Sequence, residues 1–146
     1  MAMVEQEDPT YVIGNPIVPL EEPFIDDRGV IQGLLEITTR SLAIMTSVKG
    51  SIRANHWHAT DWHYCYLISG ELIYSERNVG SNEKPIRTTI KAGQLFFSPP
   101  NVEHAMYFTQ DSQFLTISRN PRDHETYEDD VKRVPLVKAE DFADLP

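Results

Sequence analysis

Gly50-Ser51-Ile52-Arg53-Ala54-Asn55-His56-Trp57-His58-Ala59-Thr60-Asp61-Trp62-His63 is the stretch on which the reading of this chain turns. In a β-strand, side chains two apart share a face, so His56 and His58 point to the same side. A turn at Ala59-Thr60-Asp61 returns the chain, and His63 then opens the neighbouring strand close to the first two imidazoles. The strand runs on to Gly70, placing Cys65 and Leu67 on the face of His63 and Tyr64 and Tyr66 on the other. A second group, Gly93-Gln94-Leu95-Phe96-Phe97-Ser98-Pro99-Pro100-Asn101-Val102-Glu103-His104, ends on a fourth histidine, with Met106 and Phe108 on its face. Several imidazoles packed together without a cation would depress one another's basicity and leave polar nitrogens needing partners. The spacing therefore predicts a metal site built from His56, His58, His63 and His104. His124, in the polar run Arg122-Asp123-His124-Glu125, reads as surface.

Outward from this stretch, β-branched and aromatic residues alternate in short runs punctuated by ten prolines and seven glycines. Strands are expected near 30–37, 42–48, 52–58, 62–68, 71–77, 86–91, 94–98, 103–109 and 112–118. Lys49-Gly50, Ser69-Gly70, Val79-Gly80-Ser81-Asn82, Ala92-Gly93 and Ser98-Pro99-Pro100-Asn101 supply the turns between them. A helical turn is expected near 122–131, and the last ten residues read as loop or edge strand. This pattern predicts an all-β sandwich or barrel.

The 146 residues suit one domain and suffice for a core without disulfides, which the single cysteine, Cys65, rules out within the chain. Cys65 itself reads as a small buried hydrophobe. The net charge of -9 carries no basic patch of the kind nucleic acid requires, so no nucleic-acid partner is expected. The acidic runs Glu5-Gln6-Glu7-Asp8 and Glu128-Asp129-Asp130 read as solvated surface. No basic, apolar leader and no run near the length of a membrane span occurs, so the expected setting is the cytoplasm, away from membranes.

The two histidine groups resemble the motifs of the cupin superfamily. Gly50, His56, His58, His63 and Gly70 reproduce the spacing of the first motif, with His63 where a glutamate is usual. Gly93, Pro99 and His104 match the second; Asn101 stands where glycine is usual and Phe108 where asparagine is usual. The resemblance implies a double-stranded β-helix, a jelly-roll barrel of two antiparallel sheets. Its core would run from about 45 to 118, with N-terminal strands at about 10–40 and a C-terminal extension at 119–146. It also implies one divalent transition metal. Imidazoles suit iron, nickel, zinc, copper or manganese rather than magnesium or calcium. Histidine in place of the carboxylate leaves the site one charge more positive, which favours an anionic ligand. Should one histidine stand apart, His63 is the expected one, because it replaces a different residue type.

Asp26-Asp27-Arg28-Gly29 and Lys49-Gly50-Ser51-Ile52-Arg53-Ala54-Asn55-His56 are similar to elements of dTDP-4-dehydrorhamnose 3,5-epimerases and related nucleotide-sugar cupins. That resemblance implies roles for Arg28, Arg53 and His56, with Arg53 holding an anionic substrate; guanidinium suits phosphate or carboxylate. In those epimerases the histidine at position 56 is a general base and no metal is needed. A metal-bound imidazole has no free lone pair, so His56 is ligand or base, not both. The expected function is a metal-binding cupin enzyme of isomerase or epimerase type, acting on a small anionic or sugar-nucleotide substrate. The alternatives are an iron-dependent dioxygenase-type cupin and a non-enzymatic metal- or sugar-binding cupin. Glu71 and Glu103 are candidate bases through nearness in sequence alone. The outward tyrosines suggest a homodimer with Tyr64 or Tyr66 at the contact, or else packing of these rings under the N-terminal strands.

Overall fold

A computed structural model describes residues 11–145. The acidic run Glu5–Asp8 lies outside the described residues. The strands are β1 (Ile17–Val18), β2 (Phe24–Asp26), β3 (Gly29–Ile31), β4 (Ser41–Ser47), β5 (Ile52–His58) and β6 (His63–Ser69). They continue with β7 (Glu71–Asn78), β8 (Ile86–Lys91), β9 (Leu95–Ser98), β10 (Val102–Phe108) and β11 (Ser112–Ser118). Helix α1 (His124–Asp130) and β12 (Val131–Arg133) follow, and a single 3-10 turn spans Ala139–Phe142. One five-stranded sheet runs β1-β9-β6-β11-β4 and the other β12-β5-β10-β7-β8, all pairs being antiparallel. This is the jelly-roll architecture expected from the sequence.

Alternation along the strands builds three apolar clusters. Between the sheets lie Cys65, Leu67, Leu72, Tyr74, Ile90, Phe96, Phe108 and Phe114. The outer face of the first sheet carries Trp62, Tyr64, Leu95, Phe97 and Ile117, covered by Tyr11, Val18, Leu20, Leu35 and Ile37 of the N-terminal segment. The outer face of the second carries Ile73 and Ala105, covered by Leu136, Val137 and Phe142 of the C-terminal segment. The inner faces thus pack on each other, and one end of the chain covers part of each outer face, while Leu42 and Ile44 of β4 stay exposed.

One expectation needs correction. The strand expected at 30–37 ends at Ile31, because β3 pairs only with β2. Of the two settings the sequence leaves open for the outward tyrosines, Tyr64 takes packing under the N-terminal segment: it is 8% exposed and lies 4.6 Å from the Phe97 ring centre, with Tyr66 packed beside it.

Asn55 positions the site from within β5. Asn55 (φ 52°) and Ala54 (φ 70°) occupy the left-handed region, which costs a non-glycine residue about 1 kcal/mol. His104 pairs with His56 but Met106 pairs with Arg53, so β5 spends three residues where β10 spends two. Asn55 is this extra residue, a β-bulge. Its side chain donates to the Val137 carbonyl at 3.0 Å and accepts from the Val137 N–H at 3.1 Å, which offsets the strain and anchors the C-terminal segment.

Candidate metal centre

The bulge decides which side chains of β5 meet. Plain alternation would put Arg53 and His56 on opposite faces, since they stand three apart. With one residue bulged, both line the same cavity, together with His63, Cys65, Ser98, His104, Met106, Arg122 and Tyr127. The cavity, about 110 Å³, opens at one end of the barrel.

The four histidines converge there from both sheets. His56 and His104 face each other across the β5–β10 ladder, and their ring centres are 4.8 Å apart. His58 Nε2 lies 3.1 Å from His56 Nε2 and 3.2 Å from His63 Nε2. The geometry sorts them into two overlapping triads: His56, His58 and His104, and His58, Asp61 and His63. Within each, the ligand atoms lie within 4.8 Å of one another. His58 is the shared member, and His63 stands with it rather than with the first triad. Donor atoms about 2.1 Å from one cation sit about 3.0 Å apart at right angles and about 3.4 Å apart in a tetrahedron, a range that brackets these two separations. An N–H···N bond between neighbouring imidazoles satisfies the same spacing in the metal-free protein.

Three of the rings have a neighbour at Nδ1. His104 Nδ1 bonds the Val102 carbonyl at 3.1 Å, and His63 Nδ1 bonds Ser118 Oγ at 2.6 Å. His58 Nδ1 is buried with only the Asp130 carboxylate nearby, at 3.3 Å, longer than a well-formed hydrogen bond. Asp61 accepts from the Asn120 N–H at 2.9 Å and approaches His63 Nε2 to 3.4 Å. These crowded donors fit a transition metal; in the His56–His58–His104 triad, His56 and His104 line the cavity and His58 is buried beside them.

Burial keeps these imidazoles neutral, the form that ligates metal. Burial first, then His104, His58, His63 and Arg133, lowers His56 to about 2. Burial, then His58, lowers His104 to about 4, with the Val102 carbonyl opposing. His58 and His63 are lowered for the same first reason, and Asp130 resists the shift at His58. Burial raises the Asp61 carboxyl to about 6, against the opposing Asn120 N–H. A histidine lowered on folding is protonated more in the unfolded chain, so its stabilising contribution is complete above 6.5 and lost as pH falls towards the folded value. Asp61 acts oppositely: its contribution is lost as pH rises from 3.8 through 6 and offsets one histidine. With His56 and His104 both lowered, the metal-free protein should lose about 1.4 kcal/mol or more per pH unit in the acid part of this window. Melting in excess chelator at pH 7 and pH 5 checks this; an equal or higher midpoint at pH 5 contradicts it.

The remaining candidates fall away from the cavity or change role. Arg28 sits in the β2–β3 hairpin, 82% exposed and paired with Asp26 at 2.5 Å. Glu103 is paired with Arg77 at 2.8 Å, and Glu71 accepts from Thr109 Oγ1 at 2.8 Å; neither lines the cavity. The Cys65 thiol is pushed up to about 12 by burial and stays protonated within the core cluster. Arg53 reaches the cavity but is already tied to Ser47 Oγ at 2.5 Å and to the Thr46 carbonyl at 2.8 Å. His124 is exposed at the start of α1. Four residues of the site escaped the sequence reading: Asp61 joins His58 and His63, Arg122 and Tyr127 line the cavity, and Asp130 touches His58. Asp61 reads as part of a turn; the other three lie after the motifs, in a polar stretch with no spacing of its own, where only the aromatic Tyr127 amid charge could have drawn notice.

Residues 43–118, just over half of the chain, match the cupin domain family, and the chain belongs to it. Solved structures of sugar-nucleotide enzymes share the fold. One is dTDP-4-dehydrorhamnose 3,5-epimerase from Sulfolobus tokodaii: 13% identity, TM-score 0.63, covering 85% of this chain and 86% of that one. Another is QdtA, a sugar 3,4-ketoisomerase from Thermoanaerobacterium thermosaccharolyticum, in complex with TDP: 15% identity, TM-score 0.62, covering 77% and 82%. The capsular polysaccharide assembling protein CapF from Staphylococcus aureus matches at 21% identity and TM-score 0.58 over 80% of this chain. This chain spans about a third of CapF's length. At these identities the likeness speaks for the fold alone. No curated protein matches the sequence. No helix among the described residues is long and apolar enough to cross a membrane.

Proposed function

We propose that this cupin binds one divalent transition metal through His56, His58 and His104, with His63 beside them, and acts as an isomerase or epimerase on a small anionic or sugar-nucleotide substrate. The observation that carries the reading is the convergence of three imidazoles, two of which, His56 and His104, line a cavity edged by two arginines. A metal bound there supplies Lewis acidity, which polarises a carbonyl and acidifies the carbon beside it. Among the described residues, Arg53 and Arg122 have no carboxylate partner within ion-pair distance; Arg53 spends Nε and Nη2 on Ser47 and Thr46, which leaves its charge and its other N–H groups for an anionic group. Tyr127 stands 5.7 Å from the His58 ring and 6.5 Å from the His56 ring, with Arg122 stacked over it at 5.4 Å, and shields the triad from water. Sites for whole drug-sized ligands run about 300 Å³ and more. A cavity of about 110 Å³ admits the reacting sugar or acid portion, and a nucleotide would lie along the mouth. The reading includes a cytoplasmic setting and a homodimer, the latter without Tyr64 at its contact.

The same small cavity supports a second reading, a dioxygenase-type cupin acting on a compact chelating acid. Incubating the metal-loaded protein with a nucleotide-linked 4-keto sugar in D2O separates the two. Deuterium entering the carbon next to the ketone is the expected result. Oxygen uptake by the iron-loaded protein with no exchange replaces the first reading with the second, and tight ligand binding without turnover replaces both with a binding protein.

A further inference from the structure

Asp130 ends α1, outside the cupin-matched region, in a run whose sequence reads as solvated surface. Its side chain is only 10% exposed. Oδ1 accepts from the Thr60 N–H at 2.8 Å and from Thr60 Oγ1 at 2.6 Å, and Oδ2 accepts from the Asp61 N–H at 3.0 Å. The same Oδ2 is the atom 3.3 Å from His58 Nδ1. The backbone fixes this approach: Ala59 N–H donates to the Asp130 carbonyl at 3.1 Å, and Val131 pairs with His58 where β12 joins β5.

A carboxylate at Nδ1 keeps the imidazole proton there and leaves the lone pair on Nε2. Nε2 of His58 is the atom that faces both His56 and His63. We propose that Asp130 is a positioning residue of the metal site, fixing the tautomer and ring angle of His58. Metal binding by the cupin histidines then depends on the α1–β12 segment beyond the cupin motifs. The inference rests on the metal-binding reading and extends it. The competing role is a clamp on the turn at 59–61 with no effect on the imidazole.

Asp130→Asn separates the two roles. The amide oxygen still accepts from Thr60, while the amide N–H2 takes the place of Oδ2: it forfeits the bond from the Asp61 N–H, faces His58 Nδ1, donates to it and drives the proton to Nε2, where it blocks the lone pair. Nitrogen-15 NMR of the metal-free protein should show His58 protonated at Nδ1 in the wild type and at Nε2 in Asp130→Asn. Zinc affinity, measured by competition with a chromogenic chelator, should fall 10- to 100-fold, the range typical of a lost supporting partner. Thr60→Ala removes one contact to the same carboxylate and leaves Oδ2 on His58, so its zinc affinity should stay within about threefold of wild type. An Nε2–H tautomer in the wild type, an unchanged affinity in Asp130→Asn, or an equal loss in Thr60→Ala overturns the proposal. The tautomer is read without metal, so a wild type that binds no zinc would count against the proposed function while leaving the NMR result to decide the role of Asp130.

Discussion

His58→Ala is expected to abolish useful metal binding, weakening affinity by more than about 100-fold, beyond what loss of a supporting residue produces. The reason is position: His58 is 1% exposed, is common to both triads, and its Nε2 lies 3.1 and 3.2 Å from two other imidazole nitrogens. His56→Ala or His63→Ala would each leave one triad whole; His58→Ala leaves neither. The metal-free fold should tolerate the change within about 2 kcal/mol, because the variant also removes a buried polar ring whose Nδ1 has only the Asp130 carboxylate, at a long 3.3 Å, beside it. Chelator competition and thermal unfolding with excess chelator measure the two effects separately. His124→Ala, at the exposed start of α1, should change neither. Retained affinity in His58→Ala would show that the ion, if any, sits elsewhere.

The largest effect on stability is expected at Gly70→Ala. Gly70 joins β6 to β7 with φ +92°, and a methyl group there would lie 2.1 Å from Ser112 Oγ, 2.5 Å from the Asp111 carbonyl oxygen and 2.7 Å from Ser112 Cα. Two of those atoms are backbone and cannot swing aside. The hydroxyl that could move is the one that accepts from the Glu71 N–H at 3.2 Å, so displacing it breaks the turn's own bond. Overpacking of about 1–3 kcal/mol adds to about 1–2 kcal/mol for the left-handed backbone, so about 2–5 kcal/mol is expected. Gly50 separates the two parts: its φ is +86°, but no atom lies within 4 Å of the methyl position, so Gly50→Ala should cost only the backbone share. Equilibrium denaturation of both variants tests this, and equal losses would contradict the steric argument.

The barrel was legible because its strands alternate cleanly and each is bounded by glycine, proline or asparagine. Asn101, where the motif usually has glycine, does take a positive φ of 60° and makes the turn into β10. The histidines were legible because period-two spacing and a returning turn suffice to bring them together. The 30–37 segment was misread because Val30 and Ile31 stay exposed in the β2–β3 hairpin, while Leu35 and Ile37 lie half-buried against the first sheet as an irregular cover. Arg53 was placed through resemblance; the bulge that turns it towards His56 depends on Asn55 docking to Val137, 82 residues away. Asp130 and Arg122 were missed for a similar reason. Their meaning arises from where α1 folds back, 69 residues from Asp61 in the case of Asp130, and an acidic run carries no local mark of that.

The central claim is that imidazoles from two separate motifs grip one cation inside the barrel. Elemental analysis of untagged protein, after loading with zinc or iron(II) and removal of excess, tests it most directly. One metal per chain, lost in His58→Ala, is predicted. Wild-type protein that retains no transition metal after loading would contradict the account.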